Sequence, residues 1–356
     1  MVALHPEGAR IEGDRGPRAR RLCLALAVLL VAVALVSLGW GASGTSLMRA
    51  MSDWLAGREL AVQDRVVLMD IRLPRVLMGM VVGASLAVSG AVMQGLFRNP
   101  LADPGIVGVS AGASLAAICA IVLGAALPAG IAALFGWYLV PVAAFFGGWV
   151  TTLLLYRIAT RRGRTSVATM LLAGIALGAI MGAFSGLLVF RATDAELRDL
   201  TFWGLGSLAG ANWPKLIAGA PIMMLALVFA PTLARGLNAL ALGEAAAGHV
   251  GIRVQRVKNL AILTVAGATG AAVAVSGGIG FVGIVVPHLL RLISGPDHRW
   301  LLVNSALLGA IMLLGADMVS RTVVAPAELP IGIVTAIMGG PFFLWILLRN
   351  RGVLDL

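Results

Sequence analysis

Few residues in this chain are equipped for covalent, redox or phosphate chemistry. It carries 4 histidines and 2 cysteines. Its only lysines are Lys215 and Lys258, and neither follows a glycine. The pattern G-x-x-x-x-G-K-[ST] is therefore absent, and with it the P-loop that holds ATP phosphates. H-E-x-x-H does not occur either. Gly278-Ile279-Gly280-Phe281-Val282-Gly283 does match G-x-G-x-x-G, but that fingerprint binds dinucleotides only inside a βαβ unit. Here it joins two apolar runs and reads as a tight glycine turn. Of His5, His249, His288 and His298, only His288 lies near an apolar run, directly after Pro287. An axial iron ligand is one reading of it; a helix-end hydrogen bond is the plainer one. Cys23 and Cys119 sit in separate apolar runs, unsuited to a disulfide or to a metal pair. Asp317 is the one acidic residue well inside an apolar run, and Arg321 follows at i+4, where a helix ion pair would satisfy it. A single paired Asp makes a poor proton relay, which disfavours an ion-coupled secondary carrier. Neither a catalytic group nor a metal site is expected.

The elements that carry these residues are membrane spans. The chain has 356 residues, 60% apolar and 12% charged, where soluble domains carry roughly 25% charged residues. Mean hydropathy is +0.97. A soluble fold could not hide that much apolar surface, and disorder needs low hydrophobicity. The apolar runs are continuous rather than alternating, so the spans are helices and not barrel strands. The expected fold is all-α and polytopic, with ten transmembrane helices near 22–41, 73–97, 105–126, 137–156, 167–190, 214–234, 256–276, 280–293, 300–319 and 332–348. The stretch 196–208 reads as a further short helix that does not span. The formal charge of +11 would suggest nucleic acid for a soluble chain. In a membrane protein its placement matters more, and no nucleic-acid partner is expected.

The whole chain, 1–356, reads as one transmembrane domain. It comprises a basic N-terminus (1–21), the ten-helix bundle (22–348) and a tail (349–356). With the N-terminus cytoplasmic, the inside loops hold most of the arginines, among them Arg18, Arg20, Arg21, Arg157, Arg161, Arg164, Arg253 and Arg256. Arg72, Arg75, Arg191, Arg198 and Arg321 fall outside. This bias places both termini in the cytoplasm and requires an even number of spans. The first apolar run, about 19 residues, exceeds the 7–15 of a signal-peptide h-region, which favours a retained helix.

Three further segments stand out. The fifth span carries Gly174, Gly178, Gly182 and Gly186, four apart, which puts glycines along one slowly drifting face. Such a face permits close approach, either of a packed helix or of a passing substrate. Between the second and third spans, Asn99-Pro100-Leu101-Ala102-Asp103-Pro104-Gly105 stops one helix and starts another, with Asp103 as N-cap and Pro104 as first helical residue. The longest inner loop, 235–255, holds Leu242-Gly243-Glu244 and then Gly248-His249-Val250-Gly251, and reads as one or two short helices broken by glycine. It is either a plain surface segment or a docking element for a cytoplasmic partner.

Five segments together resemble the iron-siderophore, haem and cobalamin permease family of ABC importers. They are Arg72-Leu73-Pro74-Arg75 with Ser89 to Gln94; Asn99 to Gly105 with Gly108-Val109-Ser110; Leu242-Gly243-Glu244; Gly278 to Gly283 with Pro287-His288; and Glu328 to Gly332. They occur in the family's order across 72–348.

The resemblance implies a permease in a bacterial inner membrane, with two inverted five-helix halves, paired as a homodimer around a central path. Two separate cytoplasmic ATPase subunits hydrolyse the ATP, and a periplasmic binding protein delivers the substrate. No permanent cofactor is implied. It also implies roles residue by residue. Arg72, Arg75 and Arg321 dock the binding protein. Asn99, Leu101, Thr165 and Ser166 form a cytoplasmic gate. Leu242, Gly243, Glu244, Gly248 and Gly251 couple to the ATPase, and Gly174, Gly178, Gly182 and Gly186 line the path. Leu197 to Trp203 with Gly206-Ser207-Leu208 looks most like haem-import members, which makes haem the expected cargo ahead of a ferric siderophore or cobalamin.

Overall fold

The computed structural model describes residues 15–41, 47–59, 61–128, 130, 134–161 and 164–349. The ends, 1–14 and 350–356, lie outside these residues, and with them most of the expected basic N-terminus and tail.

Ten apolar helices organise the described residues: α1 Gly16–Gly39, α2 Leu73–Phe97, α3 Val109–Leu123, α4 Leu139–Ala159, α5 Val167–Arg191, α6 Trp213–Phe229, α7 Val254–Ser276, α8 Val282–Ser294, α9 His298–Ser320 and α10 Ile331–Arg349. Seven are long and apolar enough to cross a membrane, while α3, α8 and α10 are shorter apolar helices. The chain is an all-α polytopic membrane protein. Its one sheet among the described residues is the hairpin of Thr160–Arg161 with Arg164–Thr165.

The largest departure from the expected boundaries lies before α2. Part of the expected outer loop 42–72 is helical, as Val62–Arg65 and then a π-helical Val66–Arg72 run straight into α2. Pro74 has no N–H to return to residue 70, and the wider i→i+5 turns lead the chain into it. The expected short helix after α5 is present as Asp194–Gly204, started by a capping box in which Thr193 and Glu196 satisfy each other's backbone N–H. The loop between α6 and α7 forms two short helices, Ala234–Ala241 and Glu244–His249, hinged at Gly243 with φ +106°.

The central post is α2, buried over 83% of its most apolar stretch. Its neighbours approach until backbones touch. A Cβ at Gly83 would strike Gly309 of α9, and one at Gly90 would strike Gly283 of α8. α3 and α4 cross in the same way at Gly112 and Gly147. Small residues permit this contact where lipid supplies no hydrophobic drive. Three chain breaks interlock beside the post. Ser207 N donates to Ser276 O at 2.8 Å, Ile331 N to Gly206 O at 3.1 Å and Gly332 N to Leu205 O at 3.0 Å. The G-x-G-x-x-G segment lies in this knot as the expected tight turn between α7 and α8.

Candidate translocation and coupling sites

At the start of α2, three buried arginines form a clasp with the buried carboxylate of Asp317 and the exposed one of Glu328. Arg75 Nη2 and Nε donate to Asp317 Oδ1 at 2.8 and 3.0 Å. Its Nη1 and Nη2 also donate to Glu328 Oε1 and Oε2, each at 2.9 Å. Arg321 Nη2 donates to Ser37 O and Oγ at 2.9 and 2.7 Å, and Arg72 Nη1 to Leu38 O at 2.7 Å. The clasp thus ties α1, α2, α9 and the segment before α10. This revises the expectation for Asp317. Its principal partner is Arg75, 242 residues away, whereas Arg321 at i+4 stands 3.6 Å off. Arg75 is buried within the bundle, so the carboxylates must balance its charge there. Arg72, Arg75 and Arg321, expected to offer charge to a docking partner, are only 4%, 7% and 9% exposed. Their guanidiniums point inward at this chain's own acceptors.

The far end of α2 lies roughly 33 Å away at 1.5 Å per residue. There Asn99 Oδ1 accepts from Leu101 N at 2.9 Å, which fixes the turn out of the helix. Asn99 is exposed and Leu101 half-buried. Asp103 caps the next turn through Gly105 N at 2.7 Å, as its position before Pro104 predicts. The side chain of Arg98 reaches to within 4.0 Å of where a Cβ on Gly243 would stand, so this loop adjoins the two short helices. Leu242, just after the first of those helices, is 76% exposed, and Gly248 in the second and Gly251 just beyond it face open space.

Thr165 and Glu244 fall in different sequence segments, and one lysine joins them. Lys258 of α7 is buried, and its Nζ donates to Thr165 O at 2.8 Å and to Glu244 Oε1 at 2.7 Å. Gln255, one turn earlier, receives Thr165 N at 3.0 Å and donates to Thr165 Oγ1 at 2.6 Å. Ser166 caps α5 by accepting from Thr169 N at 3.2 Å. The hairpin that starts α5 is therefore bolted to α7 and to the short helix Glu244–His249. Lys258 and Gln255 were not singled out in the sequence. One of only two lysines in an apolar chain was the available signal.

The glycine face of α5 divides. Gly174 is buried, but a Cβ on Gly178, Gly182 or Gly186 would meet nothing within 4 Å. Leu172, Ile175, Phe184, Leu187 and Phe190 are exposed on the same helix. Among the described residues no helix packs there, so close packing between them does not account for the three open glycines.

His288 departs from its expected hydrogen-bonding role. Its Nδ1 is buried without a partner, and the ring packs edge-on against Phe342 with centroids 6.0 Å apart. Among the described residues no cluster of His, Cys, Asp and Glu could hold a metal in the usual way.

Residues 28–349 match the FecCD transport family. The chain belongs to that family. It is 43% identical over 328 residues to the hemin transport system permease protein HmuU of Yersinia pestis, covering 92% of this chain and 96% of that one. It is 44% identical over 289 residues to the cobalamin import system permease protein BtuC of Halobacterium salinarum, covering 81% and 75%. A solved metal-chelate-type ABC transporter in an inward-facing conformation superposes with a TM-score of 0.80 at 33% identity, covering 93% of this chain and 99% of that one. The FecCD chain described here is thus the permease subunit of an ABC importer.

Proposed function

We propose that this permease carries haem across a bacterial inner membrane, as a homodimer driven by two cytoplasmic ATPase subunits and supplied by a periplasmic binding protein. Both termini are cytoplasmic in this reading. The observation that carries it is the uncovered glycine face of α5. A monomer leaves that face to lipid, whereas a second copy would enclose a passage between the two. Haem is favoured over a ferric siderophore by near full-length similarity to the hemin permease. The cobalamin relative of comparable identity makes cobalamin the second reading.

In this scheme Gly174, Gly178, Gly182 and Gly186 border the path. Asn99, Leu101, Thr165 and Ser166 close its cytoplasmic end. Leu242, Gly243, Glu244, Gly248 and Gly251 receive the ATPase, supported by the exposed apolar side chain of Leu242. The binding protein meets the Arg72, Arg75 and Arg321 end, where the three arginines set the shape of the surface from beneath.

The test uses proteoliposomes with this chain and its ATPase, ATP inside, and binding protein with haem outside. Haem accumulation that needs both ATP and binding protein is the expected result. Cobalamin or siderophore uptake in its place would move the cargo. Uptake without ATP would overturn the scheme in favour of a secondary carrier.

A further inference from the structure

One cavity takes no part in the clasp, the gate or the path. It measures about 220 Å³ and lies among the loop before α3, the start of α3, the middle of α7 and the turn into α8. Asp103, Ser110 and Thr269 line it, together with Gly278, Gly280 and Gly283.

Its oxygens are incompletely used. Asp103 Oδ1 accepts from Gly105 N, while Oδ2 is turned towards α8, 3.4 Å from where a Cβ on Gly283 would stand. Thr269 is 2% exposed, and its Oγ1 has no hydrogen-bond partner among the described residues. A helical threonine usually returns its hydroxyl to the carbonyl four residues back. Thr151 and Thr152 of α4 do so at 2.8 Å each. Thr269 does not, and a buried hydroxyl left unpaired calls for a ligand or an ordered water.

A carboxylate and two hydroxyls are hard donors, suited to alkali and alkaline-earth cations rather than to softer metals. Charge chooses between those two. Among the described residues no other acidic side chain lines the cavity, so one carboxylate balances one positive charge. A divalent ion would leave a net charge in low-dielectric surroundings.

We propose that this cavity binds a single monovalent alkali cation, with sodium as the probe, between Asp103 Oδ2, Ser110 Oγ and Thr269 Oγ1. The small glycine walls leave room for the water that completes its shell. The ion would tie the α2–α3 loop to α7 and to the turn into α8, joining the first and second halves of the sequence. It is a fixed tie, separate from the cargo path.

The test is binding of radiolabelled sodium to the full chain in nanodiscs, at constant ionic strength against choline. Saturable binding of one ion per chain is expected. Thr269→Val should weaken it by about tenfold or more, the equivalent of one lost ligand, and Thr269→Ser should retain it. Asp103→Asn should abolish it. Absence of saturable binding to the unaltered chain overturns the proposal, as does equal binding by Thr269→Val and the unaltered chain. The count needs no cargo and no ATP, so its outcome is independent of whether haem is carried.

Discussion

Replacing Lys258 by Met removes the ammonium that joins Glu244 to Thr165 and keeps most of the buried stem. Two interactions go. The ion pair with Glu244 is worth about 0–1 kcal/mol, because the carboxylate is 48% exposed and solvent screens it. The carbonyl of Thr165, a residue 4% exposed, loses its donor at a cost of about 1–3 kcal/mol. Relief of the buried charge offsets part of that. A net loss of about 1–2 kcal/mol corresponds to a factor of roughly 5–30 in the balance between a bolted and an unbolted hairpin. If ATPase movement passes through the short helix Glu244–His249 to the start of α5, the variant should still assemble and hydrolyse ATP. It should move less cargo per ATP, by a factor in that range. The assay is cargo and phosphate counted together in proteoliposomes. Glu244→Gln should fall in the same direction, and the double variant should be no worse than Lys258→Met alone. An unchanged cargo-to-ATP ratio in Lys258→Met would refute the reasoning.

Asp317→Asn leaves Arg75 short of charge in a buried site and should cost about 3–5 kcal/mol, read as a lower thermal midpoint of the assembled protein; a double change of Arg75 and Asp317 to apolar residues should recover much of it. For the same reason Arg72→Glu and Arg75→Glu should lower folded yield before any effect on docking, measured by size-exclusion of the detergent-solubilised chain. Gly178→Leu or Gly182→Leu should leave assembly intact, since neither position meets a neighbour within 4 Å, and should block uptake; normal uptake in both would remove α5 from the path. Leu242→Asp should weaken binding of the ATPase subunits, seen as their loss on co-purification, without changing the thermal midpoint of the permease alone.

The spans were legible because continuous apolar runs admit one structural answer in a bilayer. The capping pattern around Asp103-Pro104 and the glycine hinges of 235–255 were legible because those residues have few other uses. Long-range pairing was not. Asp317 had a cation at i+4 in plain view, and nothing local indicated that a residue 242 positions earlier would take its carboxylate. The bolt at Lys258 was hidden for the same reason, since its partners come from two separate loops. The π-helical entry to α2 was missed because five charged residues within 58–70 made the segment read as a loop. The glycine face of α5 could mean packing or passage in sequence. Only the emptiness around Gly178, Gly182 and Gly186 separates these for a single chain.

If Gly178, Gly182 and Gly186 border the passage as proposed, with Ile180 and Phe184 between them, that wall offers a cargo almost nothing to hold. It has no charge along that face, and the hydroxyl of Ser185 is the one polar side chain between Gly178 and Gly186 with which to tell one flat chelate from another. Choice must then be made before the cargo enters, by whatever hands it over. The channel would work as an indifferent throat, and exchanging the delivering protein would change the diet of the cell more readily than any change within the wall.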